Sequence, residues 1–344
     1  MLWTQPNLAD VLRARASIAP YLRPTPTLER PSLDEALGCR AYLKCENLNP
    51  TGAFKVRGGI NLLSNLDSAE RSRGVLAAST GNHAQSVAYA ARLFGVRAVI
   101  YMPEAANPLK VAATRALGAE VVLLGRDFDE ARREAEARAT QEGLRYVHSA
   151  DEPLLVAGVG TYALELFEVA PGLDVLFVPV GGGSGVLGAA IVSRAVNPGA
   201  RVIGVQSEGA PAVYLSWKAG RRVVTDEVST FAEGLATRHP FDLPLQLLPG
   251  LVDEIMLVSD AELEAAIRLI IATTGQISEG AGAAAIAGAY QRRSELQGKS
   301  VGVILSGGNL GMANLMRILG GTNAEHESPA SAPVVSGRSP DCSW

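Results

Sequence analysis

Apolar residues recur along this chain in short runs separated by longer stretches of helical period. Residues 74–78, 98–102, 120–124 and 144–148 are apolar-rich runs of strand length. Between them lie an alanine-rich stretch at 82–94, a stretch at 108–117 that opens on Pro108 and ends at Gly118, and a charged one at 128–142 closed by Gly143. Short apolar strands alternating with helices predict a parallel sheet covered on both faces. The alternation resumes with a helix over 158–169, a strand over 174–180, a helix over 186–195 and a strand over 201–205. Residues 206–250 are rich in turn formers. Helices over 260–274 and 280–296 and a strand over 300–305 complete the pattern. At the front, Leu8, Val11, Leu12 and Ile18 predict a helix over 7–20. Residues 21–28 are extended, because Pro24 and Pro26 bias their predecessors away from helix. A short strand over 41–46 and a helix over 56–66 follow.

The pattern changes near Ala150–Pro153. The expected fold is therefore α/β, with two domains of open, twisted, parallel-type sheets flanked by helices. Residues 1–49 and 151–320 form the large domain and 50–150 the small one. Residues 321–344, polar and rich in Pro and Ser, read as a disordered tail.

A length of 344 residues suits two domains, and 47% hydrophobic content with a mean hydropathy of +0.15 indicates a globular chain. A net charge of −4 argues against nucleic acid or an anionic membrane as partner. No apolar run reaches the length of a membrane span, and the first residues lack a basic segment followed by an apolar one. Cys39, Cys45 and Cys342 fall in no metal or redox spacing. That count, without a leader, points to reduced thiols and the cytoplasm. His83, His148, His239 and His326 are scattered, so no metal site is expected.

Four stretches carry chemistry. The first is the turn-forming run 49–53 that breaks into Phe54, Lys55, Val56 and Arg57. A lysine at a helix start, beside a cation and an apolar ring, has a lowered pKa and can form a Schiff base with a carbonyl cofactor. The second is Gly181, Gly182, Gly183, Ser184 and Gly185, between a strand and a helix. Several N–H groups converge there, which suits a phosphate. Its spacing matches neither nucleotide-binding glycine pattern. The third, Ser79, Thr80, Gly81, Asn82 and His83, sits at the C-terminal end of a strand, where open α/β sheets bind ligands. Its hydroxyls and amides suit a carboxylate, while Ser79 or Thr80 is also an ordinary helix cap. The fourth is Ser306, Gly307, Gly308 and Asn309, again after a strand; a serine there can partner a pyridine nitrogen.

A Schiff-base lysine, a phosphate cradle, a carboxylate loop and a pyridine partner together specify pyridoxal 5′-phosphate. With these motifs in this order, the chain resembles the serine/threonine dehydratase and serine racemase group of the tryptophan-synthase-β-like, fold type II enzymes. The resemblance runs from about Tyr21 to Asn314. It implies a cofactor in the interdomain cleft, bound to Lys55. It places Phe54 beside the pyridine ring, Asn82 on the 3′-oxygen, Gly181 to Gly185 on the phosphate, Gly234 near the cofactor and Ser306 at the ring nitrogen. Ser79, Thr80, Gly81, Asn82 and His83 would surround the substrate carboxylate, with Lys55 and Thr80 as the catalytic residues. Arg238, close after Gly234, would reach the distal end of the substrate and would suit an acidic group there.

The implied reaction is a β-elimination that turns threonine or serine into a 2-oxo acid and ammonia. Thr80 departs from the serine of the racemases and from the alanine of many dehydratases, yet keeps a hydroxyl. Gln206 and Ala212 stand where racemase-like members carry two cation-binding carboxylates, which reinforces the expectation of no divalent cation. A regulatory module after residue 320 is not expected. Alternatives on the same fold are a serine racemase, a hydroxyaspartate or phenylserine dehydratase, and a β-replacement enzyme. A non-catalytic amino-acid-binding regulator is the alternative of another class. A homodimer acting on a small amino acid is expected, with neither nucleic acid nor membrane as partner.

Overall fold

Ten short strands form two sheets in the computed structural model, which describes residues 4–320. In chain order they are β1 (Thr27–Leu28), β2 (Arg40–Cys45), β3 (Val75–Ala78), β4 (Ala98–Met102), β5 (Glu120–Leu123), β6 (Arg145–Tyr146), β7 (Val175–Pro179), β8 (Arg201–Ser207), β9 (Glu254–Val258) and β10 (Ser300–Leu305). Six strands make one sheet in the order β1-β2-β10-β7-β8-β9, and four make the other as β5-β4-β3-β6. All neighbours are parallel except β1, which pairs antiparallel with β2 at the edge. The central strands β3, β4 and β7 are buried at every residue. That accounts for their continuous apolar runs, since helices cover both faces of a parallel sheet.

The larger sheet separates two apolar layers. One is built on the helices Pro153–Val169 and Ser184–Val196, the other on Asp260–Thr274 and Gly280–Gln291. The smaller sheet packs mainly against Asn82–Phe94 and Lys55–Ser64 on one side and Phe128–Glu142 on the other.

Several elements depart from the sequence reading. Residues 206–250 contain two helices, Ala212–Ala219 and Asp242–Leu251, that bury Val213, Leu243 and Leu248. Pro211, Pro244 and Pro249 disguise their period; Pro244 falls in the first turn, where a missing N–H costs nothing. The helix expected from 158 starts at Pro153, because a proline at the first helical position opens a helix as readily as it breaks one. Pro31–Leu37 begins the same way and ends at Gly38, φ +66°. Ser68–Arg73 is held by a capping box between Asp67 and Glu70. The helix expected to reach 296 ends at Gln291, strand β9 lies where none was expected, and Met312–Gly320 forms a final helix. The tail 321–344, with His326 and Cys342, lies outside the described residues.

The buried charge is concentrated in one cluster. Arg57, 1% exposed, makes two paired contacts. Its Nε and Nη2 donate to Glu46 Oε2 and Oε1 at 2.7 and 2.9 Å. Its Nη1 and Nη2 donate to Glu165 Oε1 and Oε2 at 2.6 and 2.8 Å. Lys44 Nζ donates to Glu165 Oε2 at 2.6 Å and to the Thr25 carbonyl at 2.7 Å. The cluster is electrically neutral. Burial opposes ionisation of Glu46, but the Arg57 guanidinium outweighs it and holds the carboxyl below its ordinary value.

Arg57→Ala leaves two buried carboxylates facing only Lys44 and is expected to cost about 3–5 kcal/mol, read as a lower urea midpoint. Because the folded pKa of Glu46 is depressed, its contribution is complete above the ordinary value of 4.5 and is lost as pH falls through the folded value. Urea midpoints measured against pH should therefore fall less steeply on the acid side in Glu46→Gln than in the wild type.

Candidate active site

The Lys55 turn is fixed by main-chain pairing with the turn after β10. Phe54 N donates to Ser306 O at 3.0 Å, Gly308 N donates to Gly52 O at 2.9 Å, and Ala53 bridges Gly307. Gly52 has φ +68°, and a Cβ there would lie 2.3 Å from Asn309 Oδ1, so only glycine fits. Two of the sequence-predicted stretches thus form one local structure.

Lys55 is the first residue of the helix Lys55–Ser64. Its half-buried amine donates to Ser149 O at 2.9 Å and to Ser184 Oγ at 2.8 Å. The amine lies 5.3 Å from the centre of the Phe54 ring, which meets Tyr162 edge to face. Burial pulls the Lys55 pKa down to about 8. The neighbouring cation expected from the sequence is not the cause. Arg57 sits two residues along the helix, on a different face, and is neutralised by Glu46 and Glu165.

Gly183, φ +101°, caps the helix Ser184–Val196 with no side-chain partner for its first N–H groups. The turn is pressed against its surroundings. A Cβ on Gly181 would lie 2.0 Å from Gly234 O, and one on Gly182 would lie 2.8 Å from the Phe241 ring. The main chain therefore lines this part of the cleft.

After β3, Gly81 rather than Ser79 or Thr80 is the N-cap of Asn82–Phe94, and no side chain caps that helix. The Ser79 hydroxyl accepts from Gly81 N at 3.2 Å. Asn82 Nδ2 donates to Glu279 Oε1 at 2.6 Å, and Asn82 Oδ1 accepts from Asn309 Nδ2 at 2.7 Å. His83 lines the cleft too. Its imidazole is buried, with Nε2 on the Val147 carbonyl at 3.0 Å. Burial, with Lys55 nearby, pulls its pKa down to about 3, so the ring stays neutral.

One cleft of about 1190 Å³ is lined by Phe54, Lys55, residues 79–83, residues 181–185, Gly234, Arg238 and Ser306. The Ser306 hydroxyl is buried, with only a long contact of 3.5 Å to Ala281 O. Arg238 is on the cleft, but its guanidinium is taken by Asp129 and by the Asp226 carbonyl, so it is not free for an acidic substrate group.

Sequence reasoning missed Glu279. It precedes Gly280–Gln291, lines the cleft, and burial pushes its pKa up to about 7. One signal was available: it is the only Asp, Glu, Lys or Arg between Arg268 and Arg292. Phe241 and Ser149 also line the cleft, and nothing in their local sequence points there.

The family profile described as pyridoxal-phosphate dependent enzyme matches residues 18–307. The chain belongs to the family of pyridoxal-phosphate dependent enzymes. It is 39% identical over 313 residues to an L-threonine ammonia-lyase of Thermotoga maritima, covering 91% of this chain and 78% of that one. It is 38% identical over 316 residues to an L-threo-3-hydroxyaspartate ammonia-lyase of Saccharomyces cerevisiae, covering 92% and 97%. Among solved structures, the processed form of threonine deaminase isoform 2 from Solanum lycopersicum superposes with a TM-score of 0.85 at 33% identity, covering 92% of this chain and 94% of that one.

This pyridoxal-phosphate dependent enzyme has a donor set that fits its cofactor. The uncapped helix start at Gly183 and the side-chain-free turn before it suit a phosphate. The Lys55 amine beside them suits a carbonyl carbon. No helix among the described residues is long and apolar enough to cross a membrane.

With Lys55 at about 8, the neutral amine predominates only above that pH. The rate at which cofactor-free protein captures added pyridoxal phosphate, followed by absorbance, should rise with a midpoint near 8 and vanish in Lys55→Ala. A midpoint near the ordinary lysine value of 10.5 would mean that the amine is solvated.

Proposed function

We propose that this enzyme eliminates water from a β-hydroxy-α-amino acid, L-threonine or L-serine, to yield a 2-oxo acid and ammonia. The observation that carries the reading is the half-buried Lys55 amine, with its lowered pKa, 2.8 Å from the hydroxyl of Ser184, the first residue of the helix that the glycine turn opens. Two relatives named L-threonine ammonia-lyase, matching over 91% and 84% of the chain, support it.

Bound pyridoxal phosphate supplies an electron sink conjugated to the substrate Cα. Lys55 Nζ is the group that takes the Cα proton, a task suited to an amine whose pKa of about 8 leaves a substantial neutral fraction near that pH. Residues 181–185 would hold the phosphate by main-chain N–H groups, and Gly234, whose carbonyl abuts Gly181, closes that turn. Phe54 would wall the ring. Ser306 would offer the ring nitrogen a neutral hydroxyl and would leave it less positively charged than a carboxylate partner would. Asn82 would hold the 3′-oxygen, its amide oriented by Glu279 and Asn309. The uncapped start of Asn82–Phe94, with Ser79, Thr80 and Gly81, receives the substrate carboxylate. The His83 ring is held by its hydrogen bond with the Val147 carbonyl, and its main chain belongs to that loop.

The reading extends to organisation. Residues 50–150, which contain β3 to β6, act as the small domain, and 1–49 with 151–320 as the large one. Met312 and Met316, each 67% exposed, and Leu319, 53% exposed, share one face of the helix Met312–Gly320. Such an apolar stripe supports a homodimer. Buried Cys39 and Cys45, whose thiols burial pushes up to about 11 and about 12, fit a reducing cytoplasm.

Wild type and Lys55→Ala should be assayed for 2-oxo acid and ammonia with L- and D-serine, L- and D-threonine, 3-hydroxyaspartates and phenylserine. Turnover of L-threonine or L-serine by the wild type alone is expected. Cofactor-loaded protein that yields no keto acid from any of them would sink elimination and turn attention to racemisation and β-replacement. Independently, Met316→Glu should halve the mass measured by light scattering; a wild type that already runs as a monomer would refute the dimer.

A further inference from the structure

The cleft is acidic. Six carboxylates line it (Asp127, Asp129, Asp226, Glu227, Glu233 and Glu279) against four Lys and Arg side chains. Three of those cations have carboxylate partners: Lys110 pairs with Glu233, Arg132 with Glu136 at 3.6 Å, and Arg238 with Asp129. Lys55 lies instead on the neutral oxygens of Ser149 and Ser184. Among the described residues every cleft guanidinium and ammonium beyond the reacting lysine thus has a carboxylate within 4 Å, Arg132 being the least tightly held, with its Nε left without a hydrogen bond.

The Arg238 pair spans the cleft. Asp129 is in the first turn of Phe128–Glu142, which packs on the four-stranded sheet. Arg238 follows Gly234, whose carbonyl abuts the glycine turn after β7. The Asp129 side chain is 18% exposed, and its Oδ2 also lies 3.7 Å from His239 Nε2. This carboxylate thus faces both basic side chains of the 238–239 segment.

We propose that Asp129 is a specificity-determining residue: by occupying Arg238 it reserves the cleft for β-hydroxy amino acids with uncharged side chains and disfavours 3-hydroxyaspartate. The inference rests on the elimination reading above. A second substrate carboxylate entering a half-buried, acid-lined cleft must be desolvated and given a cation. Taking Arg238 from Asp129 leaves Asp129 unpaired beside the new carboxylate, and that like-charge contact is the rejecting element.

The test uses full-length holoenzyme and the ratio of kcat/KM for L-threo-3-hydroxyaspartate to that for L-threonine. In Asp129→Asn the ratio should rise at least about tenfold, the scale of a freed charge pair at a binding site. In Asp129→Asn combined with Arg238→Gln it should fall back toward the wild-type value. A ratio unchanged in an Asp129→Asn protein that still turns over threonine overturns the proposal, as does a wild type that prefers hydroxyaspartate. Succinate, which cannot react, supplies a second readout through its effect on the cofactor absorbance; Asp129→Asn should bind it more tightly than the wild type does, and equal binding also overturns the proposal. If the wild type turns over neither amino acid, the elimination reading falls, and the succinate comparison alone decides the role of Asp129.

Discussion

Arg57 holds two carboxylates with five N–H donors in a fixed plane, and the geometry of the cleft depends on that grip. Glu46 comes from the short helical turn after β2, Glu165 from the helix Pro153–Val169, and Arg57 from the helix that Lys55 opens. Joining all three fixes where the Lys55 helix starts relative to the six-stranded sheet. A lysine could not replace this contact, because an ammonium has no fork to satisfy two carboxylates in register. The isolated cost of burying these charges is large; mutual pairing, with Lys44 as the second cation, offsets it.

Close main-chain approach carries that constraint to the phosphate cradle. A Cβ on Gly158 would lie 2.7 Å from Arg57 O, and a Cβ on Gly188 would lie 2.8 Å from Gly160 N. The helix Pro153–Val169 therefore touches the Lys55 helix on one side and the helix opened by Gly183 on another. A packed core transmits such positions with little slack. The amine and the helix end that it must serve are held by the same intervening element.

The polar chain on the other side of the cleft works differently. Asn82, Asn309 and Glu279 join the loop after β3 to the turn after β10 through hydrogen bonds of 2.6 and 2.7 Å. Glu279 sits where burial raises a carboxyl toward neutrality, whereas Glu46, even more fully removed from water, stays ionised because Arg57 faces it. The lowered pKa of Lys55 likewise comes from burial and not from its charged neighbour. In each case the outcome is set by whether an opposite charge is present.

The sequence alone determined the α/β class, most of the strands and the four reactive stretches. Those properties are local: a run of apolar residues, a glycine turn before a helix, a lysine after a break each have a meaning within a few positions. Elements that open on proline, such as Pro153–Val169 and Pro31–Leu37, were blurred because the same residue marks a start or a stop. Only the tertiary structure decided that Arg57 is silenced, that the His83 ring turns to Val147, that Glu279 faces Asn82, and that Arg238 is held by Asp129. These pairs join residues 11 to 197 positions apart. Whether a charge is paired, buried or free depends on what the fold brings against it, and no spacing along the chain encodes that.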